Sequence, residues 1–237
     1  MSNNEQTRVQ LILAAAEVAR IGARSDIISP MCGRYRLSRR KQPVEEYFDC
    51  GSDEPDWSPR YNVAPTQPVP VIRQSPKEPV LELSLMRWGL IPSWARDSSV
   101  AAQMINARSE TAGTKPAFRD ALKFRRCLIP ADGFYEWLRT GKSKQPYCFE
   151  VNDGTLFAFA GIWDRWKDPH GTWIKSCSIG LDPGMKDMTA ASELLKPYDA
   201  RLMRCYPVGT RVNQVTNDDE ECSRPVERAQ IQDRLFS

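Results

Sequence analysis

Proline punctuation constrains this chain more than any other feature of its sequence. Eighteen prolines are spread through 237 residues. They recur between short apolar runs, as in Pro65-Thr66-Gln67-Pro68-Val69-Pro70-Val71-Ile72. A proline fixes its own φ and cannot donate to a helix or a ladder. This spacing therefore favours short strands joined by turns over a helical bundle. Strand-type runs fall at 69–73, 81–88, 147–151 and 156–163, with turn signals at Pro76, Gly89, Pro92, Asp153-Gly154 and Asp168-Pro169-His170-Gly171. Helices are predicted at 44–48, 107–112, 117–122 and 189–195. No internal repeat is present, and one α+β domain is the simplest reading.

Composition narrows the class. Hydrophobic residues make up 41% and mean hydropathy is −0.52, with no apolar run long enough to span a bilayer. Recurrent Trp, Tyr and Phe argue against long disorder. The net charge of +3 permits nucleic-acid binding without requiring it. Basic residues gather at Arg34, Arg36, Arg39, Arg40 and Lys41, and again at Lys123, Arg125 and Arg126. Either cluster alone reads as solvated surface; joined to a matching motif they become candidate phosphate contacts. The seven cysteines are odd in number and form no CxxC, and His170 is the single histidine. That pattern implies reduced thiols in a cytoplasmic protein, with neither a disulfide framework nor a metal site, and no cofactor is expected.

Residues 1–30 differ from the rest. They hold no aromatic residue, and residues 9–20 read as one short amphipathic helix. The polar start, with Glu17 and Arg20 interrupting the apolar part, fits a secretory signal poorly. This segment is read as an extension.

Met31-Cys32-Gly33-Arg34-Tyr35 opens the informative part. Taken alone, a cysteine is more often a small buried hydrophobe than a nucleophile. Were the chain to begin at Cys32, an α-amine and a thiol would stand on adjacent carbons. That amine titrates near pH ~8, so a useful fraction is neutral at pH 7. It can attack an aldehyde, and the thiol can then close a five-membered thiazolidine. An internal cysteine cannot, because its nitrogen is held in an amide.

Further blocks follow in order: Arg60-Tyr61-Asn62-Val63-Ala64-Pro65-Thr66, then Met86-Arg87-Trp88-Gly89-Leu90-Ile91-Pro92-Ser93-Trp94, then Ile105-Asn106-Ala107-Arg108-Ser109-Glu110-Thr111, then Cys127 to Trp137 with Gly133-Phe134-Tyr135-Glu136 within it. Together with the Met31 block they resemble the SOS response-associated peptidase (SRAP) family, which captures abasic sites in single-stranded DNA. The resemblance runs from Met31 to about Ser178 and resumes from about Leu181 to Glu227. It implies an α+β fold, a single domain over 31–230 with a mixed, mainly antiparallel, barrel-like β core and a few short helices, followed by a tail at 231–237.

The resemblance also implies roles. Cys32 takes the place of the family nucleophile, Asn106 that of the residue orienting the ring-opened sugar, and Glu136 that of the acid–base group. Arg34 and Arg108 resemble phosphate-contacting arginines, Asn62 lies in the loop lining the site, and Trp94 matches an aromatic beside exposed bases. Trp88 reads as core, and the other tryptophans as packing. The implied partner is single-stranded DNA with abasic sites, bound by a nucleoid-associated monomer with no membrane contact.

One departure stands out. The family carries an Ile-His-Asp-Arg-Met-Pro string after the strand that begins here at Ser176-Cys177-Ser178-Ile179, and this chain has none. Gly180-Leu181-Asp182-Pro183 resembles chain well beyond that histidine, so the join at Ile179-Gly180 reads as an internal deletion that removes an acid–base group and, with it, a core strand. His170 lies in a turn and reads as a surface residue. Three functions remain open at this point: an enzyme that crosslinks to abasic DNA, an autoprocessing cysteine peptidase (a hydrolase) that exposes Cys32, and a weakened DNA-binding relic.

Overall fold

The computed structural model describes residues 11–12, 32–140, 143–152, 154–181 and 203–227. Its strands are β1 (Leu11–Ile12), β2 (Tyr35–Leu37), β3 (Cys50–Gly51), β4 (Arg60–Val63), β5 (Pro68–Gln74), β6 (Leu81–Trp88), β7 (Asn106–Arg108), β8 (Arg126–Ala131), β9 (Gly133–Thr140), β10 (Ser143–Val151), β11 (Phe157–Lys167), β12 (Trp173–Leu181) and β13 (Met203–Pro207). The α-helices are short: α1 (Lys41–Phe48), α2 (Ser109–Ala112) and α3 (Pro116–Phe124).

An eight-stranded sheet closes on itself. β11 pairs β8, β8 meets β5 at Ile72 and Leu128, β5 pairs β6, β6 runs parallel to β12, and β12 returns antiparallel to β11. Closure leaves no free edge within the ring. β7 adds to β12, β3 to β6, and β1 runs parallel to β11 at Ala158 and Phe159. A five-stranded sheet, β13-β10-β9-β2-β4, packs against this ring. The α+β fold with its mixed, mainly antiparallel, barrel-like core is thus as expected.

The two sheets meet through aromatics. Phe134 of β9 stacks on Phe149 at 5.1 Å and meets Phe157 and Phe159 of β11 edge-on. Tyr35 and Trp88, both fully buried, extend the same core. Each such ring removes a large apolar area from water, which is the main force holding the sheets together. Val44 and Phe48 of α1 are buried, as are Phe118 and Ala121 of α3, which has a proline in its first turn.

Two expectations of secondary structure change. Ala107 and Arg108, predicted as the start of a helix, join Asn106 in β7, because Ile179, Gly180 and Leu181 offer these three residues a parallel ladder. Leu11 and Ile12, predicted helical, are a strand that fills the edge of β11; the remainder of that predicted helix and the one at 189–195 lie outside the described residues. The β7–β12 ladder runs through Ile179 and Gly180 to Leu181.

The basic run from Arg36 to Lys41 is engaged within the protein, with Arg36 buried and Arg39 and Arg40 exposed at the surface. Arg36 pairs with Asp132 at 2.7 Å and with Glu150 at 2.8 Å, all three buried. Arg39 reaches Gly154 O, Arg40 reaches Asp56, and Lys41 donates to Ser52 O and Glu54 O. Buried charges need such partners, because desolvation costs more than an isolated charge can recover.

Candidate active site

Position 106 is fixed from three sides. Leu90 N donates to Met104 O, while the indole Nε1 of Trp88 and the backbone N of Ile179 both donate to Ile105 O at 3.0 Å. Held this way, Asn106 donates its Nδ2 to the carbonyl oxygen of Cys32 at 3.1 Å. Its Oδ1 is buried without a hydrogen-bond partner among the described residues.

Cys32 is fully buried, with Sγ donating weakly to Arg34 O at 3.7 Å. Burial raises its thiol pKa well above the ordinary value, and the nearby Glu136 carboxylate raises it further. Glu136 lies on β9 and is 7% exposed. Its Oε1 has no partner among the described residues, and burial pushes its carboxyl up to about 8. A carboxyl near 8 is largely protonated at neutral pH, so it can both donate and accept a proton. Three residues from separate parts of the sequence therefore converge, and two of them carry buried oxygens that nothing among the described residues satisfies. Such atoms are rare in folded proteins and call for a ligand or a reaction.

Arg34 and Asn62 form a second group. The Arg34 guanidinium donates to Asn62 Oδ1 and to Val212 O, each at 2.8 Å, and lies 5.9 Å from the Trp137 ring. Asn62 is fully buried; its amide donates to Val212 O, Gln214 O and Asn217 O, and its backbone N donates to Asp218. Strand alternation puts Trp137 and Glu136 on opposite faces of β9, so Arg34 stands on the face away from Glu136. Asn62 thus works as a clamp on the 212–218 turn. Sequence reasoning leaves Trp137 as packing and does not reach Asn213, whose Oδ1 accepts the Trp137 Nε1 at 2.8 Å. Only the folded chain brings that pair together.

Arg108 is exposed at the end of β7. Trp94 is 63% exposed. It sits in a turn held by Ser93 N on Asp164 and by Trp166 Nε1 on Ala95 O, and so stands at the far end of β11. His170 is exposed in the β11–β12 turn, where Asp168 Oδ1 accepts its backbone N. Among the described residues no group of His, Cys, Asp or Glu could hold a metal ion, and no helix is long and apolar enough to cross a membrane.

A ring-and-sheet fold with a Cys32–Asn106–Glu136 cluster at its centre defines the class. The model of the SOS response-associated peptidase family matches residues 31–180, and the chain belongs to that family. Abasic site processing protein YoqW of Bacillus subtilis is 36% identical, the match covering 81% of this chain and 98% of the relative. That match runs over 221 residues, more than 81% of a 237-residue chain supplies, so the relative has residues without a counterpart here. Abasic site processing protein HMCES of Gallus gallus is 30% identical over 82% of this chain and 72% of its own length. A crystal structure of a Bacteroides thetaiotaomicron protein superposes with a TM-score of 0.71 at 25% identity, covering 83% of this chain and all of that one.

Proposed function

We propose that this protein binds single-stranded DNA and captures abasic sites covalently through Cys32, once the bond before Cys32 is broken, by cleavage of the full chain or by removal of Met31 where synthesis starts there. The observation that carries the reading is the hydrogen bond from Asn106 to Cys32 beside the buried Glu136. The names of the relatives, abasic site processing proteins, point the same way.

The chemistry follows from the groups present. The ring-opened sugar offers an aldehyde carbon. The lone pair of the Cys32 α-amine attacks it, and a proton passes from the nitrogen to the carbonyl oxygen to give a carbinolamine. Glu136, protonated, gives its proton to the hydroxyl, which leaves as water, and an iminium forms. Cys32 Sγ then adds to the same carbon and its proton passes to the Glu136 carboxylate. Aldehyde and cysteine become thiazolidine and water, and Glu136 returns to its starting state. The Asn106 amide orients the sugar oxygen during these steps. Autoproteolytic removal of residues 1–31 is the peptidase half of the proposal, since it frees the amine the crosslink needs.

The test compares the full chain with one beginning at Cys32 on an oligonucleotide bearing one abasic site, read on a denaturing gel with intact mass. The chain beginning at Cys32 should give a stable adduct, and Cys32→Ala should give none. An equal adduct from chain that still retains residues 1–31 would overturn the proposal.

A further inference from the structure

Beyond the ring, the β11–β12 hairpin has two faces of opposite character. Along β11, Asp164 and Trp166 are buried while Arg165 and Lys167 are exposed. The register sets Arg165 against Lys175 and Lys167 against Trp173. Opposed residues share a face, so Arg165, Lys167, Trp173 and Lys175 stand together. All four are exposed, Trp173 at 56%.

This is the same face that, inside the ring, carries Cys177 and Trp163 against the core. Past Trp163 the strands outrun the ring, and the inward side chains change from apolar to basic and aromatic. The opposite face stays buried, with Trp166 and Ile174 packed on Ile91, Ala95, Val100 and Ala101.

The Arg165 guanidinium lies 5.1 Å from the Trp173 ring and the Lys167 ammonium 5.8 Å from it. Nearby carboxylates are already engaged. Asp164, on the other face, pairs with Arg125, and Asp168 accepts the backbone N of His170 and of Thr172. Among the described residues no ion pair joins Arg165, Lys167 or Lys175 to a carboxylate.

We infer that this face is a second contact for single-stranded nucleic acid, with a base on the Trp173 ring and backbone phosphates against Arg165, Lys167 and Lys175. Three cations around one exposed aromatic match the alternation of phosphate and base along a single strand. An acidic peptide supplies the charge but no flat ring to stack. Ile179, the partner of Asn106, lies six residues along β12 from Trp173, a separation of roughly 20 Å. The surface therefore takes flanking nucleotides rather than the lesion. This inference rests on the single-stranded DNA reading above.

The test uses the full chain, Trp173→Ala, and a double charge reversal, Arg165→Glu with Lys175→Glu, each checked for an unchanged thermal melt. Fluorescence anisotropy follows binding to oligothymidylates of about four and about twenty nucleotides. On the long strand, Trp173→Ala should bind about tenfold more weakly or worse. The charge reversal should flatten the salt slope by roughly 0.7 for each phosphate no longer neutralised. Both variants should match wild type on the short strand. Wild-type affinity and slope in both variants on the long strand would overturn the inference, as would an equal loss on both lengths. Phosphatidylserine vesicles or polyglutamate bound by wild type and released by the variants, with DNA binding unchanged, would reassign the surface and overturn it too. Wild type that binds neither oligonucleotide defeats the single-stranded DNA reading itself.

Discussion

Asn106 donates its Nδ2 to the Cys32 carbonyl at 3.1 Å and keeps its Oδ1 buried and unpaired among the described residues. The amide thus holds the cysteine with one atom and offers the other to whatever enters. Asn106→Asp keeps the shape but turns a donor into an acceptor against a carbonyl. Adduct formation in Asn106→Asp should fall by roughly 10²-fold if the amide positions the reacting groups. Single-turnover crosslinking rates measure this, and rates within twofold of wild type would remove Asn106 from the site.

Glu136 gives the chain a pH signature. Burial pushes its carboxyl up to about 8, against roughly 4.3 for an exposed glutamate. Between those values the folded protein holds a proton that the unfolded chain has lost, so stability falls as pH rises. The contribution is whole below the unfolded value and gone once pH passes about 8. Glu136→Gln should flatten the decline in melting temperature between acid and mildly alkaline pH. The same variant should lose the alkaline fall in crosslinking rate, leaving only the rise as the α-amine deprotonates. Superimposable profiles for the two proteins would contradict this.

The Arg36–Asp132–Glu150 network should matter for folding rather than chemistry. Asp132 is fully buried and accepts from Arg36 Nε and from both Ser38 N and Ser38 Oγ. Asp132→Ala leaves a buried guanidinium short of a partner and should cost roughly 3–5 kcal/mol. Urea denaturation reads this directly, and a loss under about 1 kcal/mol would place the pair among weak surface bridges.

Gly89 has φ +118, and a Cβ there would meet Ala101 O at 2.5 Å. The backbone conformation and the close approach both exclude a side chain. Gly89→Ala should lower the melting temperature by several degrees and disturb the neighbouring Leu90–Met104 bond that helps to fix Asn106. A neutral melt would show that the turn relaxes freely.

Much of the fold could be read locally. The apolar run at 81–88 is β6 to the residue, and the run at 69–73 is β5 less its two end residues. Ring closure could not, because the parallel step from Arg87 and Trp88 to Ser176 and Cys177 leaves no local trace. The strand at 106–108 escapes a local reading for a similar reason, since its ladder partner lies far along the chain. Cys32, Asn106 and Glu136 are legible as separate motif residues. Their convergence depends on the two sheets packing together. The internal fate of Arg36 is hidden in what looks like a surface run of cations.

The pairing of Leu11 and Ile12 with Ala158 and Phe159 sets an order of assembly. The segment is made before any other described residue, and its partner strand is made late. A nascent chain extends from the N-terminus at roughly 5–20 residues per second, so Leu11 and Ile12 are made well before the strand they pair with. Only when β11 has been delivered can they dock. Pairings so distant in sequence are slow to form, because a long loop must close first. Under the proposed removal of residues 1–31, docking of Leu11 and Ile12 on β11 competes with that removal, partly while the chain is still being made.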